Sequence, residues 1–292
     1  MERIDAHCHF WQPARGDYGW LDTGGPELDP LRREFLPTEL AALNSGRRVV
    51  LVQAAPSEAE THFLLGLAQT APQIAGVVGW VDLTEPQAAD RLAALTRNPR
   101  FKGVRPMLQD IPDLDWINTA PASEAILALQ ALGLRFDALV KAQHLPALQR
   151  FAARYPELPL VIDHAAKPDL VNAITPDWSE NMAELARDER IHCKLSGLLT
   201  EMCPSRLSSP ALALETLHPV VDQLLSWFGP RRLMWGSDWP VVTLAASHVF
   251  WEEVTDRLLE GLSDEDRAEM LGGTAARFYG LEPGVLHGGS HA

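Results

Sequence analysis

Cysteine, basic residues and long apolar runs are all scarce in this chain, and each scarcity closes off a class of protein. The three cysteines among 292 residues, Cys8, Cys193 and Cys203, form no Cys-x-x-Cys pair and no even-numbered framework, which argues against a disulfide-stapled secreted domain and for reduced thiols. Cys8 and Cys193 fall inside strand-like stretches and read as small buried hydrophobes. Lysine and arginine total 25 against 39 acidic residues, a formal charge of −14, so there is no electrostatic footprint for nucleic acid or an anionic membrane. No uninterrupted apolar stretch approaches the ~20 residues of a membrane helix. The opening MERIDAHCHF lacks the basic start and apolar core of a signal peptide, and a cytoplasmic protein is expected. There is also no internal repeat, no low-complexity segment and no break in composition. A single domain over residues 1–282 is expected, with 283–292 a flexible C-terminal tail.

What is present is alternation. A hydrophobic content of 46% supports a large core, and short apolar runs recur at 4–9, 48–53, 76–82, 101–105, 135–140, 160–164, 192–196 and 233–238. Each is followed by a helix-like amphipathic stretch, the pattern that builds parallel sheets. Runs such as VVLVQ, GVVGWV and LVIDH are apolar almost throughout, as strands buried on both faces are. Eight of them predict an α/β fold closed into a (β/α)8 TIM barrel. Helix starts are marked by Ser57 with Glu60 and Ser263 with Asp266, each pair spaced for reciprocal capping. From Ser57, Leu64, Leu67, Ala68 and Ala71 form an apolar face that leaves Glu58 and Glu60 toward water. Two segments, 12–36 and 108–121, read as loops at the carboxyl ends of their strands, where such barrels carry their chemistry.

Ionisable residues gather at those same strand ends. His7 and His9 close the first strand two residues apart and therefore point to one side, where they can hold a metal or polarise a carbonyl. The run LVIDHAAKP ends in Asp163, His164 and Lys167. Alternation puts His164 inward and Asp163 on the opposite face as a supporting carboxylate, while Lys167 can orient an anionic or hydroxylated substrate. Asp238 ends the last strand, which neighbours the first in a closed barrel, so it can act as a general base beside the imidazoles. Arg105 at the end of the fourth strand, with Gln109 and Asp110 after it, can clamp a carboxylate or several hydroxyls. Trp11 and Trp239 flank the first and last motifs and can stack on a ring or simply pack the core. In the seventh strand either Lys194 or Ser196 can reach the mouth.

Taken in order, the HxH pair, KGVRPMLQD, VIDHAAKP, CKLSG and MWGSDWP resemble the amidohydrolase superfamily, and within it the lactone hydrolases acting on sugar lactones and pyrone dicarboxylates. The resemblance runs from Arg3 to about Leu281. It implies a distorted TIM barrel that hydrolyses a cyclic ester. His7, His9, His164 and Asp238 are then the catalytic group, with Arg105, Lys167, Trp11 and Trp239 on the substrate. The fourth and fifth strands, ending KGVR and FDALV, offer no obvious further ligand. A binuclear centre is therefore not expected. One divalent metal, zinc first, held by His7, His9 and Asp238, fits the resemblance, as does a metal-free site. The expected partner is a small-molecule sugar lactone, with a homo-oligomer left open. Two other readings stand beside it: a metal-dependent amidohydrolase or decarboxylase acting on an amide or aromatic carboxylate, and a non-catalytic barrel that binds sugar acids.

Overall fold

Eight strands form one sheet in which every strand runs parallel to its sequence neighbour, in the order β1 to β8. They are β1 (Ile4–Cys8), β2 (Arg48–Val52), β3 (Ile74–Gly79), β4 (Phe101–Val104), β5 (Arg135–Ala138), β6 (Leu160–Ile162), β7 (Ile191–Leu195) and β8 (Leu233–Trp235). The computed structural model describes residues 2–43 and 46–283. Of the tail expected at 283–292, residues 284–292 lie outside the described residues. All eight expected strands are present, and the ring nearly closes. Just past β8, the Asp238 N–H donates to the His7 carbonyl at 2.8 Å and the His9 N–H donates to the Trp239 carbonyl at 2.7 Å.

The strands are apolar on both sides because both sides are covered. Val49, Leu51, Leu160, Ile162, Leu233 and Trp235 belong to the large core under the surrounding helices. Val50, Val52, Val161 and Met234 belong to a separate cluster with Ala275, Phe278 and Tyr279 from the last helix, Thr274–Tyr279. That helix plugs the floor of the barrel. Among the described residues, no helix is long and apolar enough to cross a membrane.

β1 is not a regular strand. Asp5 pairs with Val49 and Cys8 with Leu51, so β1 spends one more residue than β2 over the same span. This bulge resets the alternation. Ile4 and Ala6 face the inner cluster, whereas Cys8 joins the outer core, and His7 and His9 turn inward beyond the bulge.

Segment 12–36 contains more structure than a loop. It holds a helix, Gly19–Thr23, and two 3-10 turns, Pro13–Arg15 and Pro26–Leu31. Reciprocal backbone hydrogen bonds of 3.0 Å between Trp11 and Phe35 pin its ends together. Folding over the barrel, it corrects one expectation. Glu60 is buried, accepting from the Tyr18 hydroxyl at 2.5 Å and the Ala54 N–H at 3.2 Å. Only half of the expected cap forms: the Ser57 hydroxyl accepts from the Glu60 N–H, while the Glu60 carboxylate is taken by the incoming segment. Segment 108–121 likewise holds a 3-10 turn, Leu108–Asp110, and a short helix, Trp116–Thr119.

Candidate active site

At the carboxyl ends of the strands, Asp238 is the meeting point of three imidazoles. Its Oδ1 lies 3.2 Å from His9 Nε2, 3.7 Å from His7 Nε2 and 4.0 Å from His164 Nε2. All four side chains are buried. Burial alone would raise the Asp238 pKa, but His164, the hydrogen bond from His9, and His7 outweigh it and hold the carboxyl well below the usual range. Burial, aided by Lys194, lowers His7 well below 6.5. Burial also takes His164 down to about 4, against the pull of Asp238 and Asp163. The site therefore presents an ionised carboxylate beside two imidazoles, those of His7 and His164, that are hard to protonate.

The local sequence explains how these groups come so close. Asp5 Oδ1 accepts from the His7 N–H at 3.1 Å and the Ser237 N–H at 2.9 Å, tying the bulge of β1 to the segment that carries Asp238. Gly236 is needed there because a Cβ would strike the side chain of His7. The backbone from His164 to Lys167 runs left-handed, with φ between 49° and 57° at four successive non-glycine residues, and Asp238 has φ 56°. Such conformations persist where surrounding contacts enforce them. Because of this turn, simple alternation fails after Ile162: Asp163 and His164 both face inward, correcting the expectation that they point to opposite faces. His164 Nδ1 meets the Ser196 hydroxyl at 2.9 Å, and Gly197, itself at φ 61°, leaves room for the ring. The CKLSG motif is thus a cradle for His164.

Beneath the mouth lies a charged network in which Lys194 and Asp163, both singled out from the sequence, meet Asp137, which was not. Lys194 Nζ is 2.6 Å from Asp137 Oδ2, 3.0 Å from Asp163 Oδ1 and 3.0 Å from His7 Nδ1, with all these groups inaccessible to solvent. Tyr279 donates to Asp137 at 2.7 Å. Burial would discharge Lys194, but Asp137 and Asp163 raise its pKa above the ordinary value, so it is charged. Asp163 is held well below the ordinary carboxyl range: Lys194 and His7 overcome its burial. Asp163 also stands 3.4 Å from His7 Nδ1. The available signal was a lone carboxylate in the apolar run RFDALV, at a position facing inward. Of the two β7 candidates, Ser196 braces His164 and Lys194 lies under His7.

Arg105 is buried and interlocked with Gln53: its Nη2 donates to the Gln53 carbonyl, and Gln53 Nε2 donates to the Arg105 carbonyl at 2.6 Å. Its Nη1 lies 3.5 Å from His7 Nε2. A cavity of about 240 Å³ opens above, lined by His9, His164 and Asp238 together with Arg105, Lys167, Gln109, Trp11 and Trp20. That is smaller than the ~300 to 1,000 Å³ of drug-sized pockets and suits one small ring. Trp11 Nε1 is taken up by the carbonyls of Leu31 and Arg33, and Trp20 Nε1 by that of Ala54, so both indoles offer only apolar surface. Lys167 lines the cavity and faces Glu201 at 3.6 Å. Trp239 does not line it, because its ring packs between Phe10 and Phe35.

The donor set at this point fits a divalent metal. Ligand atoms of His7, His164 and Asp238 lie within 4.8 Å of one another. His9, expected in that set, has Nδ1 2.7 Å from the Val52 carbonyl, which leaves Nε2, 3.2 Å from Asp238 Oδ1, as its ligand atom. Two imidazoles and a carboxylate form the donor set of an open catalytic site, and His164 has the outer support from Ser196 that ligating histidines use.

Residues 4–281 match the amidohydrolase family. The chain is 44% identical to an L-fucono-1,5-lactonase of Burkholderia ambifaria over 96% of each chain. It is 40% identical to an L-fucono-1,5-lactonase of Burkholderia multivorans, again over 96% of each. A crystal structure of an amidohydrolase from Burkholderia multivorans with bound zinc superposes with a TM-score of 0.88 at 39% identity, covering 97% of this chain and 100% of that one.

Proposed function

The chain belongs to the amidohydrolase family, and from that premise we propose that it is a lactonase, opening the ring ester of a sugar-acid lactone to the aldonate. The observation that carries the reading is Asp238, a buried carboxylate within 4.0 Å of three imidazoles at the wall of a cavity sized for one ring.

In the proposed reaction, Asp238 takes a proton from water as the water oxygen bonds to the lactone carbonyl carbon. His9, fixed between Val52 and Asp238, orients the carboxylate. The negative charge that develops on the former carbonyl oxygen is met by Arg105 and the inward imidazoles in a site shielded from water. The ring C–O bond then breaks, and the ring oxygen leaves with the proton held by Asp238. Lys167 and the faces of Trp11 and Trp20 hold the sugar ring. When bound by His7, His164 and Asp238, a divalent metal, zinc in the finer reading, would polarise the carbonyl and acidify the water. The finer substrate reading is L-fuconolactone or L-rhamnonolactone, acted on in the cytoplasm.

The test is acid release, followed by a pH indicator, from L-fucono-, L-rhamnono-, D-arabino- and L-galactono-lactones, with and without chelator and added zinc. Turnover of at least one is expected. No acid from any of the four would defeat the sugar-lactone reading, and the chelator arm assigns or removes the metal.

A further inference from the structure

Resting on the lactonase reading, we propose that Gln109 reads a ring hydroxyl of the substrate and so sets which sugar lactones the cavity accepts. The polar side chains of the residues lining the cavity lead there. His9 has both ring nitrogens engaged, and His164 Nδ1 is held by Ser196. Lys167 faces Glu201. Among the lining side chains, the buried atoms without a hydrogen-bond partner are Arg105 Nε and Gln109 Oε1. The first is a donor on a group already aimed at the ester. The second is a neutral acceptor, and a buried acceptor without a donor is costly.

A hydroxyl is what this acceptor fits, since it can donate to the carboxamide oxygen without bringing charge into the cavity. The backbone supports a measuring role. Gln109 sits in the 3-10 turn Leu108–Asp110, four residues beyond Arg105. The double interlock between Arg105 and Gln53 fixes the base of that turn. One rigid segment thus carries the group that meets the ester and the group that meets a hydroxyl, so the spacing between them is built in. Trp11 and Trp20, which also line the cavity, have both indole N–H groups occupied and offer no comparable polar contact.

The experiment compares wild type, Gln109→Met and Gln109→Glu on L-fuconolactone, its monodeoxy analogues and unsubstituted δ-valerolactone. In wild type, deleting one particular hydroxyl from the substrate should lower kcat/KM by about 10- to 100-fold. Gln109→Met should lose about as much on L-fuconolactone, show no further loss on that deoxy analogue, and hydrolyse δ-valerolactone unchanged. Gln109→Glu, which keeps an oxygen in place, should retain the discrimination. Equal loss on every substrate, δ-valerolactone included, would make Gln109 scaffold and overturn the proposal, as would no loss at all. If wild type releases acid from no lactone, the lactonase reading falls by itself. Calorimetric binding of L-fuconate and its deoxy analogues then decides Gln109: about tenfold weaker L-fuconate binding confined to Gln109→Met supports the proposal, and equal affinities overturn it.

Discussion

The two ends of this barrel are lined by the same strands under opposite rules. At the floor, Val50, Val52, Val161 and Met234 meet Ala275, Phe278 and Tyr279, all apolar except for the Tyr279 hydroxyl, which reaches Asp137. At the mouth, the inward residues are His7, His9, Arg105, Asp163 and Asp238, with Lys194 between the two layers. An apolar floor can be packed by shape alone. A polar interior must satisfy each charge with a partner, because an unpaired buried charge costs far more than a lost methyl group. The difference teaches where stability and chemistry can be separated, and Lys194 is where they cannot.

The largest effect is expected at that junction. Lys194→Met leaves Asp137 and Asp163 buried without their cation, and should cost about 3 to 5 kcal/mol in urea or guanidinium unfolding while also impairing turnover through His7. A stable and fully active variant would break the idea that the two layers are coupled. At the floor, Phe278→Ala should cost about 3 kcal/mol of stability, near the lower end for a large aromatic, and leave kcat/KM nearly unchanged below the unfolding range. A large kcat loss there would remove the division between floor and mouth.

A smaller effect is expected from pH. The folded pKa of His164 is about 4, below its ordinary 6.5, so between those values the unfolded chain takes up a proton that the folded chain refuses. This group's contribution to stability is therefore complete above 6.5 and declines as pH falls toward 4. Activity needing a neutral His164 should persist to about pH 5 and fade through about 4. An acid limb centred near 6.5 in kcat/KM would contradict that assignment.

Much of this was legible in the sequence, for reasons that also set the limit. Strands buried on both faces leave near-continuous apolar runs, so all eight were readable, and polar residues ending such runs, as at His7, His9 and Asp238, stand out against them. What escaped depended on contacts remote in the chain. Lys194 and Asp137 are 57 residues apart, and nothing in either strand names the other. Glu60 looked solvated because the helix pattern says nothing of segment 12–36 folding over it. Asp163 and His164 both face inward because the left-handed turn after Ile162 overrides alternation. Trp239 was placed correctly along the chain, yet its ring is turned into the core by Phe10 and Phe35.

The most direct test of the account is the turnover of Asp238→Asn on a lactone that the wild type hydrolyses, measured beside its thermal unfolding. The substitution keeps the shape and removes the base. A fall in kcat of about 10²- to 10⁴-fold with the unfolding midpoint little changed is predicted. Near-normal turnover by a folded Asp238→Asn protein would contradict the account.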